Sequence, residues 1–205
     1  MTVHSLDQLV TEIRGCRICV EAASGKVLPH EPNPVLQVVS SARILIAGQA
    51  PGTRVHASSK PFTDPSGDRL RAWMGVNEEV FYDSSRIAIL PMGFCFPGLD
   101  AKGGDLPPRK ECAPAWRQQV LDLLPELQLV LTIGLYAQNW HLGKLRRKNL
   151  SETVENWREY HTKLSPPVIP MPHPSWRNNS WLKKNPWFES ELLPVLQSHV
   201  KQVLR

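Results

Sequence analysis

Four cysteines, a loop bounded by glycines with a proline inside it, and a histidine set between prolines are the residues of this chain whose types and spacing could do chemistry. Cys16-Arg17-Ile18-Cys19 is a CxxC pair, and Cys95 and Cys112 follow much later. At the end of a helix a CxxC pair can turn two thiolates toward one ion. Cys95 and Cys112 flank a long Pro/Gly loop and would close it. Four thiolates suit Zn²⁺ or a [4Fe–4S] cluster. A zinc ribbon normally offers a second CxxC, which is missing here, so the spacing leans toward iron–sulfur with structural zinc as the alternative. Four unlinked buried thiols are the reading without a metal. A dithiol redox motif fits less well, because this CxxC ends a helix rather than beginning one.

The second group is Gly48-Gln49-Ala50-Pro51-Gly52, directly after an apolar run. Its glycines permit close ligand approach, its proline fixes the bend, and its exposed N–H groups could contact an acceptor. It is not a phosphate loop, since the Lys-Ser/Thr ending is absent; an ordinary strand-to-loop turn is the alternative. Then comes Lys60-Pro61-Phe62-Thr63-Asp64, followed by Ser66-Gly67-Asp68-Arg69-Leu70. Phe62 could stack on a planar ligand or pack on the core as a lid, and Ser66 or Asp68 could cap a helix. In Pro172-His173-Pro174-Ser175-Trp176-Arg177 the flanking prolines stiffen the backbone at His173, which suits a positioned catalytic group or a surface turn. Trp176, Arg177, Trp181, Lys183 and Lys184 interleave aromatic and basic side chains, as contact with bases and phosphates requires. A solvated surface with snorkelling lysines has the same composition.

These groups need elements to hold them. Apolar runs at Arg43–Ala47, Arg86–Leu90, Leu129–Ile133 and Val168–Met171 read as strands buried on both faces. Between and around them, helices are expected over residues 6–13 with Ser5 and Asp7 as caps, over 68–73, over 108–124 with a kink or late start at Pro114, over 135–142, over 154–160, and over 189–204 with a bend near Pro194. Strands alternating with helices predict an α/β chain, a three-layer α/β/α sandwich around a central, mainly parallel four-stranded sheet. Ligands of such sheets sit beyond the carboxyl ends of the strands. The loops there are 48–66, 91–107, 134–136 and 172–180, and three of them hold the motifs above.

Composition sets the outer bounds. A length of 205 residues suits one domain, taken as 1–205, against a usual size of about 100–200. Nineteen prolines are roughly twice the ordinary ~5% share, which calls for many stiff loops. The net charge of +5 fits a nucleic-acid partner without requiring one. The opening MTVHSLDQLVTEIRG lacks the basic stretch and apolar core of a secretory leader. No window approaches ~18 apolar residues, so no membrane span is expected. The reading is a cytoplasmic monomer with reduced thiols.

In combination these motifs resemble the uracil-DNA glycosylase superfamily, and its iron–sulfur class in particular. That class carries a GEAPG-like loop after its first strand, like Gly48–Gly52. It then has a Pro-Phe pair and a small-residue helix start, like Pro61-Phe62 and Ser66–Leu70. A His-Pro-Ser loop follows its last strand, like His173-Pro174-Ser175. Its N-terminal CxxC and two later cysteines match Cys16, Cys19, Cys95 and Cys112 in order. The resemblance covers about residues 16–177.

What the resemblance implies is extrusion of a deaminated base from DNA into a pocket. Phe62 would stack on the base, with Gly48, Gln49 and Ala50 beneath it and the N–H groups of Gln49 and Ala50 on its carbonyl oxygen. His173 would stabilise the negative charge that develops on the leaving base. Ser175, Trp176 and Arg177 would enter or fill the base stack. Lys183 and Lys184, with Lys144, Arg146, Arg147 and Lys148, would grip phosphates. The cluster would be structural. Two positions depart from the class. Gln49 stands where it has Glu, and Ala50 where another branch has Asp, so water activation would fall to Asp64, Asp68 or no base. The strand before Cys95 usually supplies an Asn, and Leu90–Phe94 has none. A non-catalytic lesion-sensing member is therefore the alternative. A small-molecule hydrolase would lack a GxSxG elbow.

Overall fold

The computed structural model describes residues 5–205. Met1–His4, which begin the expected 1–205 domain and the segment read for a leader, lie outside them. Four strands form one sheet: β1 (Ile44–Ala47), β2 (Ile87–Ile89), β3 (Leu129–Ile133) and β4 (Val168–Met171). Every residue in them is buried, as continuous apolar runs require of a sheet covered on both faces. Their order is β2-β1-β3-β4 and every pairing is parallel, with Ile44 opposite Ile87 and Leu129, and Val130 opposite Val168. β1 begins one residue inside the expected run, β2 is one residue short at each end, and β3 and β4 match.

Side chains alternate across a strand, so one chain feeds two cores. On one face Ile44, Ile46, Ile87 and Leu131 pack with Leu70, Trp73 and Met74 of the helix Pro65–Met74 and with Leu196 and Val200 of the helix Leu193–Val203. On the other face Leu45, Ala88 and Val130 meet Leu9 and Ile13 of the helix Leu6–Arg14, together with Val120 and Leu124. That first helix opens with a capping box: Gln8 N–H donates to Ser5 Oγ, and Ser5 N–H donates to Gln8 Oε1. Asp7 sits in its first turn.

Several helix bounds differ from expectation for local reasons. The helix expected from residue 68 begins at Pro65, because Asp64 rather than Ser66 or Asp68 caps it. The segment from Pro108 becomes helical only at Ala113, as a π-helical turn carrying Pro114, and continues as α-helix over Gln118–Asp122. Residues 154–160 belong to two helices, Leu150–Glu155 and Trp157–Lys163, broken at Asn156. The last helix follows a second π-helical turn, Phe188–Leu192, with Pro194 in the first turn of Leu193–Val203. The CxxC pair does not end the first helix. Cys16 lies beyond its Gly15 cap, and Cys19 sits in a separate turn, Ile18–Glu21. The chain leaves β1 for β2 on one side and reaches β3 on the other. That reversal opens a crevice at the carboxyl ends of the strands. Among the described residues no helix is long and apolar enough to cross a membrane.

Candidate active site

The crevice holds a pocket of about 570 Å³, lined by the Gly48–Gly52 loop, Pro61, Phe62, Asp64, Ser66, Asp105 and His173. The loop is stitched down from one side: Met92 N–H donates to the Gly48 carbonyl and Gly93 N–H to the Gln49 carbonyl, both at 2.9 Å. Among the described residues, the N–H groups of Gln49 and Ala50 bond to no other protein group. They are donors free for a ligand.

Phe62 is built in place by three features. Its backbone has φ 55°, a left-handed conformation that non-glycine residues rarely adopt. Tyr82 Oη donates to the carbonyls of Pro61 and Phe62, at 2.8 and 3.1 Å. Gly67, in the first turn of the helix Pro65–Met74, passes so close that a Cβ there would stand 1.9 Å from the Phe62 carbonyl oxygen. The ring meets Phe81 edge-on, with centroids 5.9 Å apart, and its tip lies 3.6 Å from where a Gly48 Cβ would be. Such local strain, held by its surroundings, is typical of ligand clamps.

The carboxylates separate into different tasks. Asp64 Oδ1 accepts from the N–H groups of Ser66 and Gly67 and from the Ser66 hydroxyl, so this oxygen is taken up by the helix cap. Asp68 does not reach the pocket; it pairs with Arg71 and its side chain is 76% exposed. Asp105, which the motif reading passed over, lines the pocket beside His173. It lies in the 91–107 loop, already placed at the carboxyl end of a strand, and that was the signal that could have found it.

His173 is half-buried directly after β4. Asn178 Nδ2 donates to its carbonyl at 2.7 Å. The loop is braced further by Arg69, which donates to the Ser175 carbonyl at 3.2 Å and to Asn179 Oδ1 at 2.8 Å. Burial pushes the imidazole below its ordinary pKa, and Asp64 and Asp105 pull the other way. The ring is therefore neutral near pH 7 and offers an N–H donor without a positive charge.

Beyond the pocket rim, Trp176 is 73% exposed, with the Arg177 guanidinium 5.9 Å from its ring centre. Lys183 and Lys184 are exposed in the last turn of the helix Asn179–Lys184. Trp181, by contrast, is a packing residue: it donates to Ser151 Oγ at 2.7 Å and stands edge-on to Trp187 and Phe188. Lys144, Arg146, Arg147 and Lys148 are not brought to the pocket. They lie past the far end of the helix Gly134–Leu142, nine residues and so about 13 Å long, where Arg147 is paired with Glu159.

The Cys16/Cys19 pair is far in sequence from Cys95 and Cys112, yet all four line one cavity of about 380 Å³, with Phe94, Arg109 and Trp116. Sulfur-directed donors surround it. Phe94 N–H donates to Cys112 Sγ and Trp116 Nε1 to Cys16 Sγ, each at 3.3 Å. Burial pushes the Cys95 and Cys112 thiols up to about 12. Among the described residues, no three His, Cys, Asp or Glu are grouped so that they could hold a metal ion. The donor set nevertheless fits a thiolate-bound group, since N–H···S bonds stabilise charge on sulfur.

Residues 37–197 match the family model for the uracil DNA glycosylase superfamily. The matched span contains the pocket loops, Cys95 and Cys112, and begins after Cys16 and Cys19. Among solved structures, the solution NMR structure of a candidate uracil DNA glycosylase from Methanosarcina acetivorans aligns with 16% identity and a TM-score of 0.48, over 81% of this chain and 95% of that one. With the family match running through most of its length, the chain belongs to the uracil DNA glycosylase superfamily.

Proposed function

We propose that the protein is a DNA glycosylase that hydrolyses the N-glycosidic bond of uracil or another deaminated base during base-excision repair. One observation carries the reading: Phe62, the free N–H groups of Gln49 and Ala50, and neutral His173 all border one pocket. A flipped base would stack on Phe62 over Gly48, and the two N–H groups would hold a carbonyl oxygen. As the bond breaks, charge flows into the base, and the His173 N–H stabilises it on oxygen without adding a cation to the resting site. Asp64 adds fixed negative charge near the developing sugar cation, and the Gln49 amide is available to the base edge. Ser175, Trp176 and Arg177 would occupy the gap in the stack, with Lys183 and Lys184 on the backbone.

The test is base release from single-stranded and mismatched DNA across uracil, hypoxanthine, xanthine and alkylated bases, with His173→Ala beside the wild type. Release by the wild type and its loss in the variant are expected. Full activity of His173→Ala would remove the role given to that residue. The neutral Gln49 favours a second reading, a lesion-binding member without catalysis, which predicts salt-dependent DNA binding and no release from any lesion.

The reading includes a [4Fe–4S] cluster held by Cys16, Cys19, Cys95 and Cys112. What supports a shared thiolate-bound group is that all four cysteines border one cavity, with structural zinc as the alternative. When bound it would cross-link the segment just after the first helix to the 95–112 loop and deprotonate the thiols. Both hydrophobic cores flank one sheet, which supports one domain over 1–205, proposed here as a cytoplasmic monomer.

A further inference from the structure

We propose that Asp105 is a catalytic carboxylate of the pocket, the base that takes a proton from the water attacking the sugar. The inference rests on the glycosylase reading and adds a residue to it. Asp105 is presented by a hairpin closed by Leu106 N–H on the Gly98 carbonyl at 2.9 Å and by Asp100 N–H on the Gly104 carbonyl at 2.8 Å. The Asp100 side chain stiffens the turn by accepting from Lys102 and Gly104 N–H. Asp105 Oδ2 then stands 3.5 Å from where a Gly52 Cβ would be, against the loop that would receive the base. It borders the same pocket as Phe62 and His173.

Asp64 has one carboxylate oxygen, Oδ1, engaged by the helix cap, whereas among the described residues neither oxygen of Asp105 is so engaged. The Gln49 amide cannot accept a proton, and His173 is needed as a donor. The Asp105 carboxylate makes no hydrogen bond or ion pair among the described residues. The charged groups that face it are Asp64, Asp100, His173 and Arg177. Desolvation and the two aspartates raise its pKa, while Arg177 and His173 lower it, with a net rise above the ordinary carboxylate value. A carboxylate so placed is more basic than a free one.

In the step itself, the water oxygen bonds to C1′ as the C1′–N bond breaks. The bonding pair leaves with the base, held at oxygen by the His173 N–H. Asp105 takes one water proton, and the base anion is then protonated by that acid or by solvent. The products are the free base and a sugar with a C1′ hydroxyl, so no other reactant is needed.

The experiment measures single-turnover release of uracil from a DNA oligonucleotide against pH, for the wild type, Asp105→Asn and His173→Ala, with DNA binding and thermal unfolding measured alongside. For Asp105→Asn we expect folding and DNA affinity to be kept, a rate lowered by about 10²-fold, loss of the acidic limb of the pH profile, and partial rescue by added formate. A variant within threefold of the wild type, or one that keeps the acidic limb, overturns the role of Asp105 while leaving the glycosylase reading in place. A wild type that releases no base from any lesion in the panel overturns both.

Discussion

Replacing Gly67 by alanine tests how the pocket is held. Sequence logic alone favours the change, since alanine is better than glycine in a helix by about 1 kcal/mol. The structure says the reverse. A Cβ at position 67 would lie 1.9 Å from the carbonyl oxygen of Phe62, 2.8 Å from its carbonyl carbon and 2.9 Å from its Cβ. Two of these are backbone atoms, so no side-chain rotation relieves the contact. Either the start of the helix Pro65–Met74 moves, or Phe62 leaves its left-handed conformation and the Tyr82 hydroxyl loses its bond to the Phe62 carbonyl. Overpacking costs about 1–3 kcal/mol and a lost hydrogen bond about 1. Set against the helix gain, the net loss is about 2 kcal/mol, a fall in Tm of roughly 4–8 °C for a chain of this size. A ring displaced by about 1 Å also reduces kcat/KM for base release by about 10²-fold. Denaturant unfolding and a base-release assay on Gly67→Ala measure both. A variant at least as stable as the wild type, with kcat/KM within twofold, would refute the reasoning.

Three further outcomes are expected. Burial lowers the pKa of His56, His161, His173 and His199, and pushes His141, which contacts the buried Arg117, down to about 3. The unfolded chain therefore binds more protons below pH ~6.5, and stability is full above that value and falls as pH drops toward the folded values. His141 alone would remove about 2 kcal/mol between pH 6.5 and 5, and urea unfolding that is flat across this range contradicts the assignment. Trp176→Ala should leave Tm unchanged, because the side chain is 73% exposed, yet weaken binding to lesion DNA by about 1–3 kcal/mol, read by anisotropy. The protein isolated without oxygen should contain iron and absorb broadly near ~400 nm, both diminished in Cys112→Ser, whereas a colourless protein with one zinc per chain would replace the cluster.

The sheet was legible because it is buried on both sides. Leu129–Ile133 and Val168–Met171 are unbroken apolar runs, and their strands begin and end where the runs do. Helix starts were harder, because Asp64, Ser66 and Asp68 all have side chains able to cap and only the fold selects Asp64. Phe62 and His173 were legible from their proline settings. Asp105 was not, because its place depends on a hairpin closing between residues 98 and 106 and on that hairpin meeting Gly52. Tyr82 was missed for the same reason, lying 20 residues from the carbonyl it holds. The cysteines were readable as a set, but only tertiary packing brings the Cys16/Cys19 pair, Cys95 and Cys112 around one cavity.

Three successive N–H groups after β2 reach three different acceptors: Met92 the Gly48 carbonyl, Gly93 the Gln49 carbonyl, and Phe94 the sulfur of Cys112. This tripeptide works as a gauge block, with one end seated in the floor of the pocket and the other on a thiol. Its length cannot change. Inserting or deleting one residue there would unseat either the loop or the sulfur, because each step along extended chain is about 3.3 Å. Oxidative damage at Cys112 would likewise be felt at Gly48, in the wall of the pocket.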